Sequence, residues 1–275
     1  MAYKRILTVQ DISCVGQCSM TVALPILSAC GLETCILPTA VLSTHTGGFG
    51  KPVVRHMSDS IPLFRQHWKQ ENISFDAIYT GYLGCCEDIQ GVLELVDELL
   101  VPGGILIVDP AMADHGRLYS GFDEAYVSAM ARLCNQADIL LPNVTEAALL
   151  TGTPYVDAWE LEYAKELVKK LPQRHIILTG VGDRQEETGV LIRTDGSWNH
   201  ICRPRVPGRY SGTGDLFAAC FTGAFLQGKS IVEAAGIAAE LTELCVRTTW
   251  ENPAHGYGIR FESILPELIR RVNPE

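Results

Sequence analysis

No run of Lys and Arg interrupts this 275-residue chain, whose 22 basic residues are outnumbered by 32 acidic ones, for a net charge of −10. Neutralising a nucleic-acid backbone takes clustered cations, so the composition points away from DNA and RNA partners. A single nucleotide remains possible, because backbone amides and a metal ion can hold it. The ten cysteines (Cys14, Cys18, Cys30, Cys35, Cys85, Cys86, Cys134, Cys202, Cys220 and Cys245) contain no C-x-x-C pair, and no His pair stands at zinc spacing. Most lie in apolar surroundings, which reads as reduced thiols and a cytoplasmic location. A G-x-x-x-x-G-K-[ST] loop is missing, which excludes a Walker-type phosphate site. The segment after the first strand-like run is DISCVGQCS rather than G-x-G-x-x-G, which disfavours a dinucleotide fold. Long apolar runs are lacking too. MAYKRILTVQ has no signal-peptide core, and the window from Met20 to Leu42 is broken by Pro25, Gly31, Glu33 and Pro38, so no membrane span is expected.

What is present is a rhythm. RILTVQ (5–10), ETCILPTAV (33–41), AIYTG (77–81), GILIVDP (104–110), DILLPN (138–143) and HIILTG (175–180) are compact apolar runs, each stopped by Gly, Pro, Asp or Asn. Helical spacing fills stretches between them, with Ile89, Val92, Leu93 and Val96 in 87–100 and Leu161, Ala164, Leu167 and Val168 in 157–171. Strands apolar on both faces and alternating with helices predict an α/β protein with a mostly parallel central sheet covered on both sides, a three-layer α/β/α sandwich. The stretch 188–206 breaks the rhythm, and Asp195-Gly196 within it predicts a late antiparallel ribbon. No linker or internal repeat divides the chain, so one domain over residues 1–275 is expected, with 183–187 exposed.

Ligands of such sheets sit beyond the carboxyl ends of the strands. Six strand ends here deliver polar residues or glycine: Gln10-Asp11, Ser43 to Thr46, Gly81-Tyr82, Asp109, Asn143 with Glu146, and Thr179-Gly180. Gly212-Thr213-Gly214-Asp215 opens a run so apolar that its helix must be buried. Two readings fit it: a glycine turn with a first-turn Asp, or a helix N-terminus that cradles an anion with a carboxylate beside it. Asn143 and Glu146 likewise fit either a helix cap or a magnesium–nucleotide site. Asp109 and Asp114 fit turn or surface positions, yet together with Glu146 they would form an acidic patch that calls for a cation. His45 could be a structural hydrogen-bonder or a substrate contact. Tyr82 could be a half-buried aromatic or a pocket wall.

N-x-x-E at 143–146 combined with G-T-G-D at 212–215 resembles the ribokinase-like superfamily of small-molecule kinases. The segments VQDISCVGQCSMTVALPILSACG (9–31), VLSTHTGGFG (41–50), YTGYLG (79–84) and VDPAMADHGRLY (108–119) narrow the resemblance to the pyridoxal (pyridoxine/pyridoxamine) kinases, over roughly residues 4 to 260. The resemblance implies transfer of the ATP γ-phosphoryl to the 5′-hydroxyl of a B6 vitamer. Asp215 would be the base, and the amides around Gly212, Thr213 and Gly214 an anion hole. Asn143, Glu146, Asp109 and Asp114 would serve Mg–ATP, with Glu146 and Asp109 toward the metal, and Thr179 and Gly180 would border the nucleotide. Asp11, His45, Thr46 and Tyr82 would line the vitamer pocket. It also implies a homodimer and a monovalent cation, usually potassium. Two departures stand out: Asp11 occupies a place where many of these kinases carry serine, and AMADHG replaces the more usual VMGD. A hydroxymethylpyrimidine (phosphate) kinase, or a non-catalytic nucleotide- or vitamer-binding protein, would show many of the same features.

Overall fold

The computed structural model describes residues 4–157, 160–182, 184, 186–252 and 256–273. In chain order the elements are β1 (Arg5–Ser13), α1 (Met20–Ala29), β2 (Glu33–Leu42), β3 (Val54–His56), α2 (Ile61–Gln70), β4 (Phe75–Thr80), α3 (Cys86–Leu99), β5 (Leu100–Val108), β6 (Ala113–Asp114), β7 (Arg117–Leu118), α4 (Glu124–Cys134), β8 (Ile139–Leu140), α5 (Val144–Thr151), α6 (Leu161–Lys170), β9 (His175–Thr179), β10 (Glu187–Thr194), β11 (Ser197–Pro204), α7 (Thr213–Leu226), α8 (Ile231–Trp250) and α9 (Leu265–Val272).

Nine strands form one sheet in the order β11-β10-β9-β8-β5-β4-β1-β2-β3. The six strands from β9 to β2 pair in parallel, while β10, β11 and β3 add antiparallel edges. Strand periodicity explains the continuous apolar runs, because successive side chains point to opposite layers and both layers are covered. In β1, Ile6 packs under α1, α7, α8 and α9, whereas Leu7 and Val9 pack under α2 to α6. Ile177 against Ile176 and Leu178 repeats the alternation in β9, and Val190 and Ile192 against Leu191 repeats it in β10.

The sequence-predicted ribbon is the β10–β11 hairpin, turning at Asp195-Gly196 with both residues at positive φ. Three differences have local causes. The strand expected at 138–143 shrinks to Ile139–Leu140, because Pro142 has no N–H for the ladder and Asn143 keeps only an isolated bridge to Thr179 while its side chain caps α5. β5 begins at Leu100, directly on the end of α3, with an irregular register before Ala77↔Ile105. Residues 158 and 159 of the expected 157–171 helix lie outside the described residues, and α6 runs from Leu161. The edge strand β3 and the β6–β7 hairpin, too short for periodicity to reveal, were not expected. Of the 183–187 segment, 183 and 185 lie outside the described residues, Arg184 and Glu186 are exposed, and Glu187 already belongs to β10.

All ten cysteines are free; Cys18, Cys30, Cys134, Cys220 and Cys245 are buried, and Cys14 is exposed. Among the described residues no helix is long and apolar enough to cross a membrane. Helix α7 lies against α1 with little room to spare, since a Cβ on Gly223 would stand 2.4 Å from the Cys30 Sγ. Overfilling a packed interior costs roughly 1–3 kcal/mol. Gly223→Ala should therefore lower the urea midpoint of unfolding by a corresponding amount with an unchanged m-value.

Candidate active site

The carboxyl ends of the parallel strands deliver the site. At the end of β1 the pairing with β2 shifts register between Gln10 and Ile12, and Asp11 sits in this irregularity. Asp11 is only 5% exposed, and Ser13 Oγ donates to its Oδ2 at 3.4 Å. The loop that follows is held against the 43–48 loop: the His45 amide donates to the Val15 carbonyl at 2.8 Å, and a Cβ on Gly16 would stand 2.6 Å from His45 Cβ. Ser19, which precedes α1, has φ 47° and ψ −127°, a conformation side chains other than glycine rarely adopt. Such backbone costs about 1–3 kcal/mol and persists where its surroundings hold it. Here the Ser19 amide is directed at the Asp215 carboxylate.

Helix α7 starts at Thr213, on Gly212 in the left-handed conformation (φ 86°). A Cβ on Gly212 would lie 2.1 Å from the Gln17 carbonyl oxygen, so this position requires glycine. No side chain caps the helix; the first intrahelical bond is Leu216 N–H to Gly212 O at 2.9 Å. The amides of Thr213, Gly214 and Asp215 therefore precede the ladder at the positive end of a 14-residue helix, an arrangement suited to an anion. A Cβ on Gly214 would meet nothing within 4 Å, so the approach to these amides is open. Beside it lies a cavity of about 220 Å³ lined by Gly47, Gly48, Arg209, Tyr210, Ser211 and the 256–258 segment.

On the far side of β4 and β5, α5 begins with a reciprocal cap. Asn143 Oδ1 accepts from the Glu146 amide at 3.0 Å, and Glu146 Oε2 accepts from the Asn143 amide at 2.8 Å. Glu146 is 2% exposed, and its Oε1 accepts from the Met112 amide at 3.2 Å. Asn143 Nδ2 donates to the Ala113 carbonyl at 2.8 Å, and Thr145 Oγ1 accepts from the Gly116 amide at 3.0 Å. The capping reading of Asn143 and Glu146 thus holds, and the same bonds fasten the β6–β7 hairpin to α5.

Charge ties the two halves together. Burial pushes the Asp215 carboxyl up to about 6; the Ser19 amide pulls it back, Asp11 pushes it further up, and His45 pulls it down. Asp109, at the end of β5, is raised well above the ordinary carboxylate range by burial and by the charges of Glu146 and Asp215. Burial raises Glu146 to about 8 against the pull of three backbone amides, Asn143, Met112 and Ala113, with Asp114 adding to the rise. These carboxylates repel one another at one sheet edge, a situation that a cation relieves.

The remaining expected residues are placed as follows. Asp114 is exposed, in the β6–β7 hairpin beside His115. Thr46 is exposed, and His45 is half-buried with its Nδ1 accepting from the Gly47 amide at 3.0 Å. Tyr82 is half-buried and stacks on Phe122 with centroids 5.5 Å apart, so it belongs to an aromatic stack while facing Asp11. Thr179 bridges to Asn143, and Gly180 is exposed at φ 78°. Among the described residues no three His, Cys, Asp or Glu are spaced to hold a metal ion. Since both Glu146 oxygens already accept backbone amides, this residue suits contact with a metal through water. Sequence reasoning missed Ser19, Gln17 and the backbone of Met112 and Ala113, which act through main-chain atoms and so leave no side-chain signature. It also missed Asp88, fully buried at the start of α3 and accepting from the Gly84 amide at 2.8 Å. Glu146→Gln would present an amide group to one of two backbone N–H donors; leaving such a donor unpaired costs about 1–3 kcal/mol. Denaturant unfolding should show that loss, with far-ultraviolet dichroism unchanged.

The family model described as phosphomethylpyrimidine kinase matches residues 30–259. A pyridoxal kinase from Lactobacillus plantarum superposes with a TM-score of 0.90 at 34% identity, covering 98% of this chain and 97% of that one. A Bacteroides thetaiotaomicron protein described as a putative phosphomethylpyrimidine kinase, in a crystal form with pyridoxal, gives 0.87 at 34% identity, over 97% and 96%. The hydroxymethylpyrimidine/phosphomethylpyrimidine kinase of Bacillus subtilis is 30% identical over 65% of this chain and 66% of its own length. With the family match spanning most of the chain and the fold shared from end to end, this protein belongs to the phosphomethylpyrimidine kinase family and is a small-molecule kinase of the ribokinase-like fold.

Proposed function

We propose that the chain phosphorylates the 5′-hydroxyl of a B6 vitamer with ATP. The observation that carries this reading is Asp215: a partly desolvated carboxylate in the first turn of α7, beside three free helix amides and facing the Asp11–His45 pocket. The vitamer oxygen attacks the γ-phosphorus, its proton passes to Asp215, and the bond to the β-phosphate oxygen breaks to release ADP. Phosphoryl transfer asks mainly for alignment and charge stabilisation, which the amides of Thr213, Gly214 and Asp215 supply. Magnesium bound with the nucleotide supplies neutralising charge; the residues that fit it are Asp109 directly and Glu146 with Asn143 through water, with Asp114 at the rim. Thr179 and Gly180 border the nucleotide, and His45, Thr46 and Tyr82 with Asp11 surround the vitamer. By its resemblance to the family, the whole chain acts as one kinase unit in the cytoplasm, as a homodimer with potassium beside the nucleotide.

The family match and the Bacillus subtilis relative favour a second reading, in which the acceptor is the hydroxymethylpyrimidine or its phosphate. Coupled ATPase assays with pyridoxal, pyridoxine, pyridoxamine and the pyrimidine decide between them; turnover with the pyrimidine alone removes the vitamer reading. Asp215→Asn should lower kcat by on the order of 10²–10⁴ while nucleotide binding survives. An unchanged kcat would dismiss Asp215 as base. Because the Asp215 carboxyl is raised to about 6 and must be ionised to accept a proton, kcat/KM should fall roughly tenfold per pH unit below that value. Substitution of Asn143 or Glu146 should raise the magnesium concentration giving half-maximal rate; an unmoved dependence leaves them as helix caps only.

A further inference from the structure

We propose that Asp11 makes the acceptor pocket selective for alcohols that carry a positive charge, either on a protonated ring nitrogen or on an aminomethyl arm; this rests on the kinase reading above. Asp11 is 5% exposed. The register shift at the end of β1 holds it at the strand-end edge. Its hydroxyl partners are neutral, Ser13 Oγ at a long 3.4 Å and Ser19, and no Lys or Arg pairs with it among the described residues. The titratable groups that face it come from four neighbouring segments: Asp215 on α7, Cys18 before α1, His45 after β2 and Tyr82 after β4. Of these only His45 could be positive. Its Nδ1 lies 3.0 Å from the Gly47 amide and 3.2 Å from the Gly47 carbonyl, both within its own loop. The protein therefore sets two carboxylates, Asp11 and Asp215, in one pocket with a single imidazole, His45, between them and no Lys or Arg against Asp11 among the described residues. A buried carboxylate in that position is costly until a charge-assisted partner arrives. A cationic ring nitrogen or ammonium supplies one, and a neutral aromatic alcohol does not. Burial has raised the Asp11 carboxyl, as expected for an acid still lacking its partner.

Calorimetric binding separates charge selection from mere lining of the pocket. The probes are pyridoxine, pyridoxamine and a carbocyclic pyridoxine in which C–H replaces the ring nitrogen. The proteins are the wild type, Asp11→Asn and Asp11→Ser, the last in case the first fails to fold. The wild type should bind the ligand whose charge Asp11 reads, pyridoxine through its ring or pyridoxamine through its arm, on the order of 10²-fold more tightly than the carbocycle, and either variant should reduce that ratio to a few-fold. A loss concentrated on pyridoxamine assigns the charge to the aminomethyl arm, and an equal loss for both vitamers assigns it to the ring; both support the proposal. A variant that keeps the wild-type ratio, or weakens all three ligands alike, overturns it. Wild-type protein that phosphorylates none of the vitamers would instead remove the vitamer reading, so the two failures are distinguishable.

Discussion

The approach of two backbones, Gly212 onto the Gln17 carbonyl, is the constraint on which the site depends. With 2.1 Å between that oxygen and a would-be Cβ, only glycine lets α7 begin where it does. That origin fixes everything downstream. It brings the uncapped helix end to the strand edge, puts Asp215 opposite the Ser19 amide, and closes the acceptor pocket against the loop from β1. The unusual Ser19 backbone is held by the same contact region. Strain and close approach in the main chain thus substitute for side-chain anchors, and they leave the helix amides free for a phosphate.

The fold was largely legible because both faces of the central strands are buried. Val and Ile runs such as HIILTG and GILIVDP are too short to span a membrane and fit strands buried on both faces, and the Asp195-Gly196 turn announced the hairpin. What sequence could not reveal were elements without periodicity: two-residue strands, a three-residue edge strand, and the shortening of β8 by a cap. Asp11, Asp109 and Glu146 were found by where strands end and Asp215 by the glycines that open a buried helix; their charges act on one another in the structure, Asp109 with Glu146 and Asp215, and Asp215 with Asp11. Their roles remain a matter of chemistry. For Asn143 and Glu146 the structure shows the cap, and the same buried glutamate acts electrostatically on Asp109.

The electrostatic character of the cleft follows from this crowding. Four carboxylates in a mostly dehydrated edge oppose one another, and the described protein offers them backbone amides and hydroxyls but few cations. A cleft of this kind is incomplete on its own. On the proposed reading, the nucleotide end would gain from a divalent ion carried with the phosphates, and the acceptor end from a positive heteroaromatic alcohol. Net charge of −10 at the level of the chain and local anion binding at α7 are compatible, because helix amides act at a range where the overall charge is screened.

The β6–β7 hairpin has a mechanical consequence. Asn143 Nδ2 holds the Ala113 carbonyl, and Thr145 Oγ1 holds the Gly116 amide. The hairpin cannot swing outward without breaking these bonds and the Met112 amide's bond to Glu146, which exposes a buried glutamate. Any closing motion over the nucleotide must therefore carry α5 and the hairpin as one plate, pivoting at the chain segments that enter and leave it. Glu146 and Asp114 would then travel with the cover, while Asp109 stays at the end of β5.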